Sequence, residues 1–508
     1  MSERKTGILL SYVNIILHAV IGFLYVPILL HYIGKNEYGL YQLMGSLIAY
    51  FSVMDFGLSA AVIRFYSKYL ALKDKVGIEN ILAISVRGYG LVTVVALLIG
   101  GIGYAFLGDA FSGSMTVAEV AEAKDIYVLL LLNIIVTLST MVFRSVINAH
   151  ERFLFLKGME TIQLVLQPIL VVLVLMQHPS AFSVALVQTV LNVFLSGARV
   201  FYCFHSLHVT IRFHYWNQEL FVSFRKLALS VFAVTLIDQV FWKTNQVILG
   251  IISGTEAVAV YSLASLIYMN YMALSTAISG VYLPHVTGMI TKNEPIEKLS
   301  ELFIQIGRWQ YYLLALVATG FIIFGKQFIK IWAGVGFEDA YAITLLIILP
   351  FTIDLIQNVG LAILQAENRY DFRAKVYFAT GLFNLALAIP LGIKYGGVGC
   401  AFATGLSMLL GNGLVMNLFY MKKIHLAIQL FWKQILHISL VVIGCLFVGY
   451  SLNSLFYDRS SLILFLVKAL GYVFVYVVAI YSFAMNRLEK MKVQSILGKI
   501  SKKLQILS

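Results

Sequence analysis

The stretch "AHERFLF" at 149–155 is a charged and aromatic interruption between long apolar runs, and "AENRYDF" at 366–372 repeats it 217 positions later. Ala149 pairs with Ala366, Arg152 with Arg369, Phe153 with Tyr370 and Phe155 with Phe372. Two further landmarks keep nearly the same spacing. "GKNEYGLYQL" (34–43) resembles "GTEAVAVYSL" (254–263), pairing Gly34, Tyr41 and Leu43 with Gly254, Tyr261 and Leu263, and "RGYGL" at Arg87 matches "RWQYYL" at Arg308. Three matches in one order, at offsets of 217 to 221, predict a duplicated unit.

The medium of that unit follows from composition. Sixty per cent of the 508 residues are hydrophobic and only 12% are charged, too little polar surface for a soluble protein of this size. Apolar runs recur at 8–33, 38–63, 81–107, 125–147, 154–177, 180–203, 227–252, 256–284, 308–332, 341–365, 375–393, 396–420, 434–456 and 460–485. Each is about the 20 residues that a helix needs to cross roughly 30 Å of hydrocarbon. None alternates with the period of a barrel strand, so the expected fold is all-α and polytopic, with fourteen transmembrane helices. The first run follows Arg4 and Lys5 but is longer than a signal-peptide core and lacks a cleavage site, so it reads as a membrane helix. Cys203, Cys400 and Cys445 are scattered in apolar segments and form neither a disulfide framework nor a metal site.

A net charge of +13 would suit nucleic acid, but its distribution does not. Alternate connections and the tail hold 28 of the 37 basic residues, among them Arg64, Arg144, Arg152, Arg199, Arg225, Arg369 and Lys422. The opposite ends hold only Lys35, Lys124, Lys326, Lys330, Lys394 and Arg459. By the positive-inside rule this places both termini in the cytoplasm. The two opening motifs then fall at cytoplasmic turns six spans apart, an even number, so the copies run in the same direction. Parallel repeats of this kind flank a substrate site near the membrane midplane. The expected organisation is a six-helix bundle over 1–205, a cytoplasmic linker over 206–226, a second bundle over 227–422, two additional spans over 423–485 and a basic amphipathic cytoplasmic tail over 486–508.

With fourteen spans arranged as 6+6+2, the opening "SYVNIILHAVIGFLYVPILLHYIGKNEYGLYQL" (11–43) and the "AHERF" and "AENRY" turns, the chain resembles the Wzx-type polysaccharide flippases of the MOP (MATE-like) transporter superfamily. The resemblance implies alternating-access movement of an undecaprenyl-diphosphate-linked oligosaccharide from the inner to the outer leaflet of a bacterial plasma membrane. It further implies membrane lipids and polysaccharide polymerase and assembly proteins as partners, and no cofactor. Relatives in the same superfamily include lipid II flippases and multidrug extruders.

A diphosphate crossing hydrocarbon needs cations in a wet cavity. Lys243, in "LIDQVFWKTNQVIL" (236–249), lies about 25 Å along its helix from Lys226 and is the first candidate. Arg87 and its repeat mate Arg308 follow, then the shallower Arg64 and Arg144, which as plain membrane anchors would simply snorkel to the interface. Asp55, Asp238 and Asp354 are the intramembrane carboxylates, either ion-coupling sites or counter-charges to nearby cations. Asn14 and His18, one turn apart in the first span, form a polar stripe that either faces the cavity or bonds between helices.

The chain has no phosphate-binding G-x-x-x-x-G-K-[ST] loop and no metal-ligand spacing. Its outer loops are too short to hold an enzymatic site, which disfavours a membrane polymerase or ligase acting on the same lipid carrier. A cation-coupled extruder would call for carboxylates in its cavity, and the chain offers both signs there, so that alternative stays open.

Overall fold

A computed structural model describes residues 3–215, 218–367, 369–454, 462–495 and 498. Linker residues 216 and 217, residues 455–461 between and within the ends of the last two expected spans, and most of the expected tail beyond Ser495 lie outside the described residues. In chain order the helices are α1 (Glu3–Ala49), α2 (Leu58–Ala71), α3 (Lys75–Phe111), α4 (Val117–Ala149), α5 (Phe153–Leu175), α6 (Ala181–His205), α7 (Gln218–Ser279), α8 (Leu283–Thr291), α9 (Ile296–Trp332), α10 (Asp339–Leu355), α11 (Asn358–Ala366), α12 (Tyr370–Met408), α13 (Met416–Phe419), α14 (Ile428–Ser454) and α15 (Leu462–Ala479). There is no strand among the described residues. Ten helical segments are long and apolar enough to cross a bilayer, or eleven when α10 and α11, bent by 43°, are taken as one.

Three helices are interrupted by a glycine outside helical dihedrals: Gly34 in α1 (φ 75°, ψ −178°), Gly254 in α7 (φ 77°, ψ −171°) and Gly396 in α12 (φ 57°, ψ −139°). A positive φ costs glycine nothing and other residues much. The 62 residues of α7 would otherwise make a rod of about 90 Å, three times the bilayer core. The chain doubles back instead. Asn245 Nδ2 donates to Tyr261 OH at 2.8 Å and Gln246 Nε2 to Ser262 Oγ at 2.9 Å, across sixteen residues that a straight helix would hold about 24 Å apart. Cys400 Sγ reaches the carbonyl of Ala388 at 3.7 Å across Gly396.

The reversal at Gly34 is read from α1's neighbours. Asn14 bonds to Lys157 and Thr161 at the start of α5, whereas Glu37 accepts the Ala181 N–H at the start of α6, just past α5's far end. Tyr41 then bonds to Gln188 on α6, and Tyr66 of α2 reaches His150, back beside the start of α5.

By compactness the chain divides into Met1–Leu266 with Gly381–Ala403, and Ile267–Thr380 with Thr404–Ser508. In the first unit the helix starts are written in the sequence. Asp74 accepts the Gly77 N–H at α3, Thr116 and Glu119 form a capping box at α4, and Ser180 caps α6. The "AHERF" turn runs from the last residue of α4, Ala149, to the first of α5, Phe153. Residues 210–215 of the linker are strapped to α3, with Thr210 and His214 on Glu79 and two backbone N–H groups on Asn80.

In the second unit, α11 ends at Ala366 and α12 begins at Tyr370, the same spacing as in the first motif. Helix α9 receives α14 and α15: Tyr472 donates to Thr319 Oγ1 at 2.7 Å, Tyr476 to the Tyr312 carbonyl at 2.9 Å and Asn453 to the Ile323 carbonyl at 3.4 Å. The chain on either side of α13 winds into wider π-helical turns, Leu409–Val415 and Tyr420–Ile424.

Candidate functional site

The first unit carries a polar run, Lys243-Thr244-Asn245-Gln246, inside an apolar span. It lies eleven residues or fewer before Gly254, so Lys243 sits about 16 Å from the hairpin bend and near the middle of a 30 Å core. Three of the four residues are committed to neighbours. Thr244 bonds to Tyr50, Asn245 to Tyr261, and Gln246 to both Ser46 and Ser262. Buried amides and hydroxyls in hydrocarbon must find such partners. Lys243 is half-buried and makes no hydrogen bond or ion pair among the described residues.

Toward the hairpin the same helices close tightly. A Cβ on Gly39 would stand 1.9 Å from the Thr255 carbonyl oxygen, so only glycine permits this approach. A Cβ on Gly250 would stand 2.6 Å from the methyl groups of Leu43, Lys35 pairs with Glu256 at 2.9 Å, Ser114 donates to the Gly250 carbonyl at 2.7 Å, and Thr255 donates to Glu119 at 3.1 Å. Lys243 thus lies on the same helix as a close, hydrogen-bonded contact between α1 and α7.

The other predicted residues fall in separate surroundings. Arg87 is exposed, its guanidinium 4.1 Å over the Phe213 ring of the linker, and Arg64 is exposed beside Phe65. Asp55 accepts Ser59 Oγ and Tyr89 OH, each at 2.7 Å. Arg144 pairs with Glu160 at 2.9 Å. Asp238 lies five residues before Lys243 on the same helix. Asn14 is buried and spent on α5, whereas His18 is exposed.

In the second unit, Asp354 faces Arg373 at 3.4 Å, and Arg373 also donates to Asn412 in the π-helical turn. Arg308 is buried at 5% exposure and clamps Glu489, beyond the last span, with two bonds of 2.7 Å. Gln434, Tyr312 and the Ala484 carbonyl complete its shell. Burial pushes the Glu489 carboxyl up, but Arg308 and the Asn486 backbone N–H outweigh it and hold the group below its ordinary value. Arg308 thus has a structural partner, whereas its repeat mate Arg87 rests on an aromatic face.

Sequence reasoning singled out Lys243 but passed over Thr244, Asn245 and Gln246; four consecutive polar residues inside an apolar run were the available signal. Arg373 was hidden among the positive-inside charges, since its pairing with Asp354 depends on a tertiary contact nineteen residues away.

An all-helical chain whose long apolar helices double back at glycines has the architecture of a multi-pass membrane protein. The chain belongs to the polysaccharide biosynthesis protein family, whose sequence pattern matches residues 4–289. Over 160 residues it is 25% identical to the "Putative O-antigen transporter" of Escherichia coli (strain K12), a match covering 30% of this chain and 37% of that relative's length. The solved lipid II flippase MurJ, in an inward closed conformation, superposes with a TM-score of 0.72 at 17% identity, over 93% of this chain and 98% of its own. An inward-facing MATE multidrug resistance transporter of the MOP superfamily gives 0.62 at 14% identity, over 78% and 92%. At such identities the structural likeness shows a shared fold, and these relatives are transporters and flippases rather than catalysts.

Proposed function

We propose that this protein moves an undecaprenyl-diphosphate-linked oligosaccharide from the inner to the outer leaflet of the bacterial plasma membrane, for export of a surface polysaccharide, by alternating access. In this reading each doubled-back helix crosses the membrane twice, bringing the eleven apolar segments to fourteen spans with both termini cytoplasmic. The single observation that supports it is Lys243. An isolated ammonium near mid-membrane is costly unless water or an anion reaches it, and a diphosphate is an anion that must pass. Arg87, Arg64 and Arg144 would guide the headgroup in from the cytoplasmic ends of their helices, while Arg308 anchors the tail. The closure around Gly39 and Thr255 would shut the outer side while the inner side loads, and the prenyl chain would stay in lipid throughout.

The test is genetic and chemical. Deleting the gene should leave lipid-linked oligosaccharide accumulating on the cytoplasmic side, with its sugar identified by mass spectrometry. Lys243→Ala should reproduce that accumulation at normal protein level and membrane insertion, and Lys243→Arg should retain part of the export because charge persists while donor geometry changes. Normal export by Lys243→Ala would remove the residue from the site.

A further inference from the structure

At the end of the first unit that carries the "AHERF" turn, two cations pair with one carboxylate and a third lies within electrostatic reach of it. Glu160 Oε1 accepts Arg144 at 2.9 Å, and Glu160 Oε2 accepts Lys157 at 2.7 Å. Arg199 on α6 lies within electrostatic reach of both Arg144 and Glu160, and its Nε is buried without a hydrogen-bond partner among the described residues. Arg144 stands five residues before the end of α4, Lys157 four residues into α5 and Arg199 six before the end of α6. All three are therefore about 6 to 9 Å in from helix ends on the side of the "AHERF" turn.

Simple topology anchors do not account for this arrangement. A snorkelling arginine turns its guanidinium toward water, whereas Arg199 keeps a donor buried and unspent. The repeat supplies an internal comparison. The positions 217 residues further on are Leu361, Ala374, Tyr377 and Met416, so the second half has no carboxylate in the place of Glu160, and its nearby Arg373 turns instead to Asp354 and Asn412. Three cations against Glu160 leave an excess of two positive charges, enough to neutralise a phosphate mono- or diester, and arginine donors suit phosphate oxygens. Asn14 and Thr161 fix the α1–α5 contact alongside without engaging the charged groups.

We propose that Arg144, Lys157 and Arg199 form a seat for a lipid phosphate at the membrane interface, separate from Lys243. The chemistry is shared by an anionic phospholipid headgroup and a prenyl diphosphate. The seat does not depend on the transport reading, because a resident phospholipid would occupy it in a protein with any cargo.

Native mass spectrometry of the full chain, with phosphatidylglycerol, phosphatidylcholine and undecaprenyl diphosphate as probes, tests the seat. The parent should retain at least one of the two anionic lipids in preference to phosphatidylcholine, and Arg199→Gln should lower that occupancy about tenfold. Lys157→Gln should act in the same direction and decides the matter if Arg199→Gln does not fold. Lys298→Gln, an exposed cation on α9, should leave occupancy unchanged. Loss confined to phosphatidylglycerol assigns the seat to a resident phospholipid; loss confined to undecaprenyl diphosphate assigns it to cargo; loss of both assigns it to phosphate in general. Parent-level retention of both anionic lipids by the folded variants overturns the proposal.

Discussion

The ring of Phe155 lies 4.0 Å from that of Tyr202 with the planes 13° apart, and in the second unit Phe372 lies 3.9 Å from Phe419 at 11°. Both partners are displaced by 217 residues, the offset of the motifs in which Phe155 and Phe372 sit. The first stack ties the start of α5 to the end of α6, and the second ties the start of α12 to the end of α13. Offset stacking of this kind contributes about 0.5–1.5 kcal/mol beyond area burial. Phe155→Leu and Phe372→Leu should therefore lower thermal stability by similar amounts. Double-mutant cycles with Tyr202→Leu and Phe419→Leu should return couplings of about that size in each unit. Coupling in one stack and none in the other would mean that the two turns do not play the same structural part.

These stacks show what the sequence made legible. Aromatic residues at matched offsets, a glycine at 34 and another at 254, and apolar runs of bilayer length were all visible as pattern, and Gly34 and Gly254 adopt nearly the same backbone dihedrals. Partner choice was not legible. Arg308 and Arg87 looked equivalent by position, yet Arg308 is clamped by a carboxylate 181 residues away, a contact that no local periodicity encodes. Likewise Asn245 and Gln246 acquire meaning only once the reversal at Gly254 brings Tyr261 and Ser262 back beside them.

The close approach at Gly39 should be essential to the closure. A valine there would drive its Cβ into the Thr255 carbonyl and force α1 and α7 apart. Gly39→Val is expected to raise labelling of Ser46→Cys by a membrane-impermeant thiol reagent severalfold from outside the cell and to slow export. Conversely, Lys35→Cys with Glu256→Cys should cross-link under oxidation, stop export and recover with reductant. Unchanged labelling in Gly39→Val would show that the contact does not seal that side.

The Arg308–Glu489 clamp should act through stability. Breaking a buried, hydrogen-bonded ion pair by neutralising one partner typically costs about 3–5 kcal/mol, because the other charge stays buried. Glu489→Gln should accordingly lower the melting temperature and loosen residues 486–495, as read by hydrogen exchange, even though Glu489 lies beyond the last span. If the melting temperature does not change, the pair is an incidental contact of the tail.

His150, inside the "AHERF" turn, supplies a pH dependence. Its Nε2 lies 2.9 Å from Tyr66 OH, and burial first, then the nearby Arg152 charge, hold its pKa below the ordinary value of 6.5. The unfolded chain therefore takes up this proton before the folded chain does. The stabilising effect of a neutral His150 is complete above about pH 6.5 and is lost as pH falls from there through the folded value. Protection from hydrogen exchange at residues 149–153, relative to the intrinsic rate at each pH, should fall between about pH 7.5 and about pH 5.5, and His150→Gln should flatten that dependence. An equal loss of protection in the variant would assign the effect to another group.

The three carboxylates expected within the spans, as ion-coupling sites or as counter-charges, differ in their surroundings. Asp55 is held by two hydroxyls, and Asp354 faces the buried Arg373, so neutralising Asp354 would strand a cation and register mainly as lost stability. Asp238 shares a helix with Lys243, five residues away, and a cation held by its carboxylate would travel inward with the empty carrier and favour its return. The energetic demand is modest: a tenfold shift of a two-state equilibrium takes about 1.4 kcal/mol of differential ion affinity. A membrane potential supplies about 2.3 kcal/mol per charge per 100 mV to an inward-moving cation. Asp238→Asn should therefore slow turnover in sealed vesicles carrying an imposed ion gradient, while lipid-diphosphate binding stays near that of the parent. A variant that answers the gradient as the parent does would leave Asp238 as a counter-charge to the cations of its own unit.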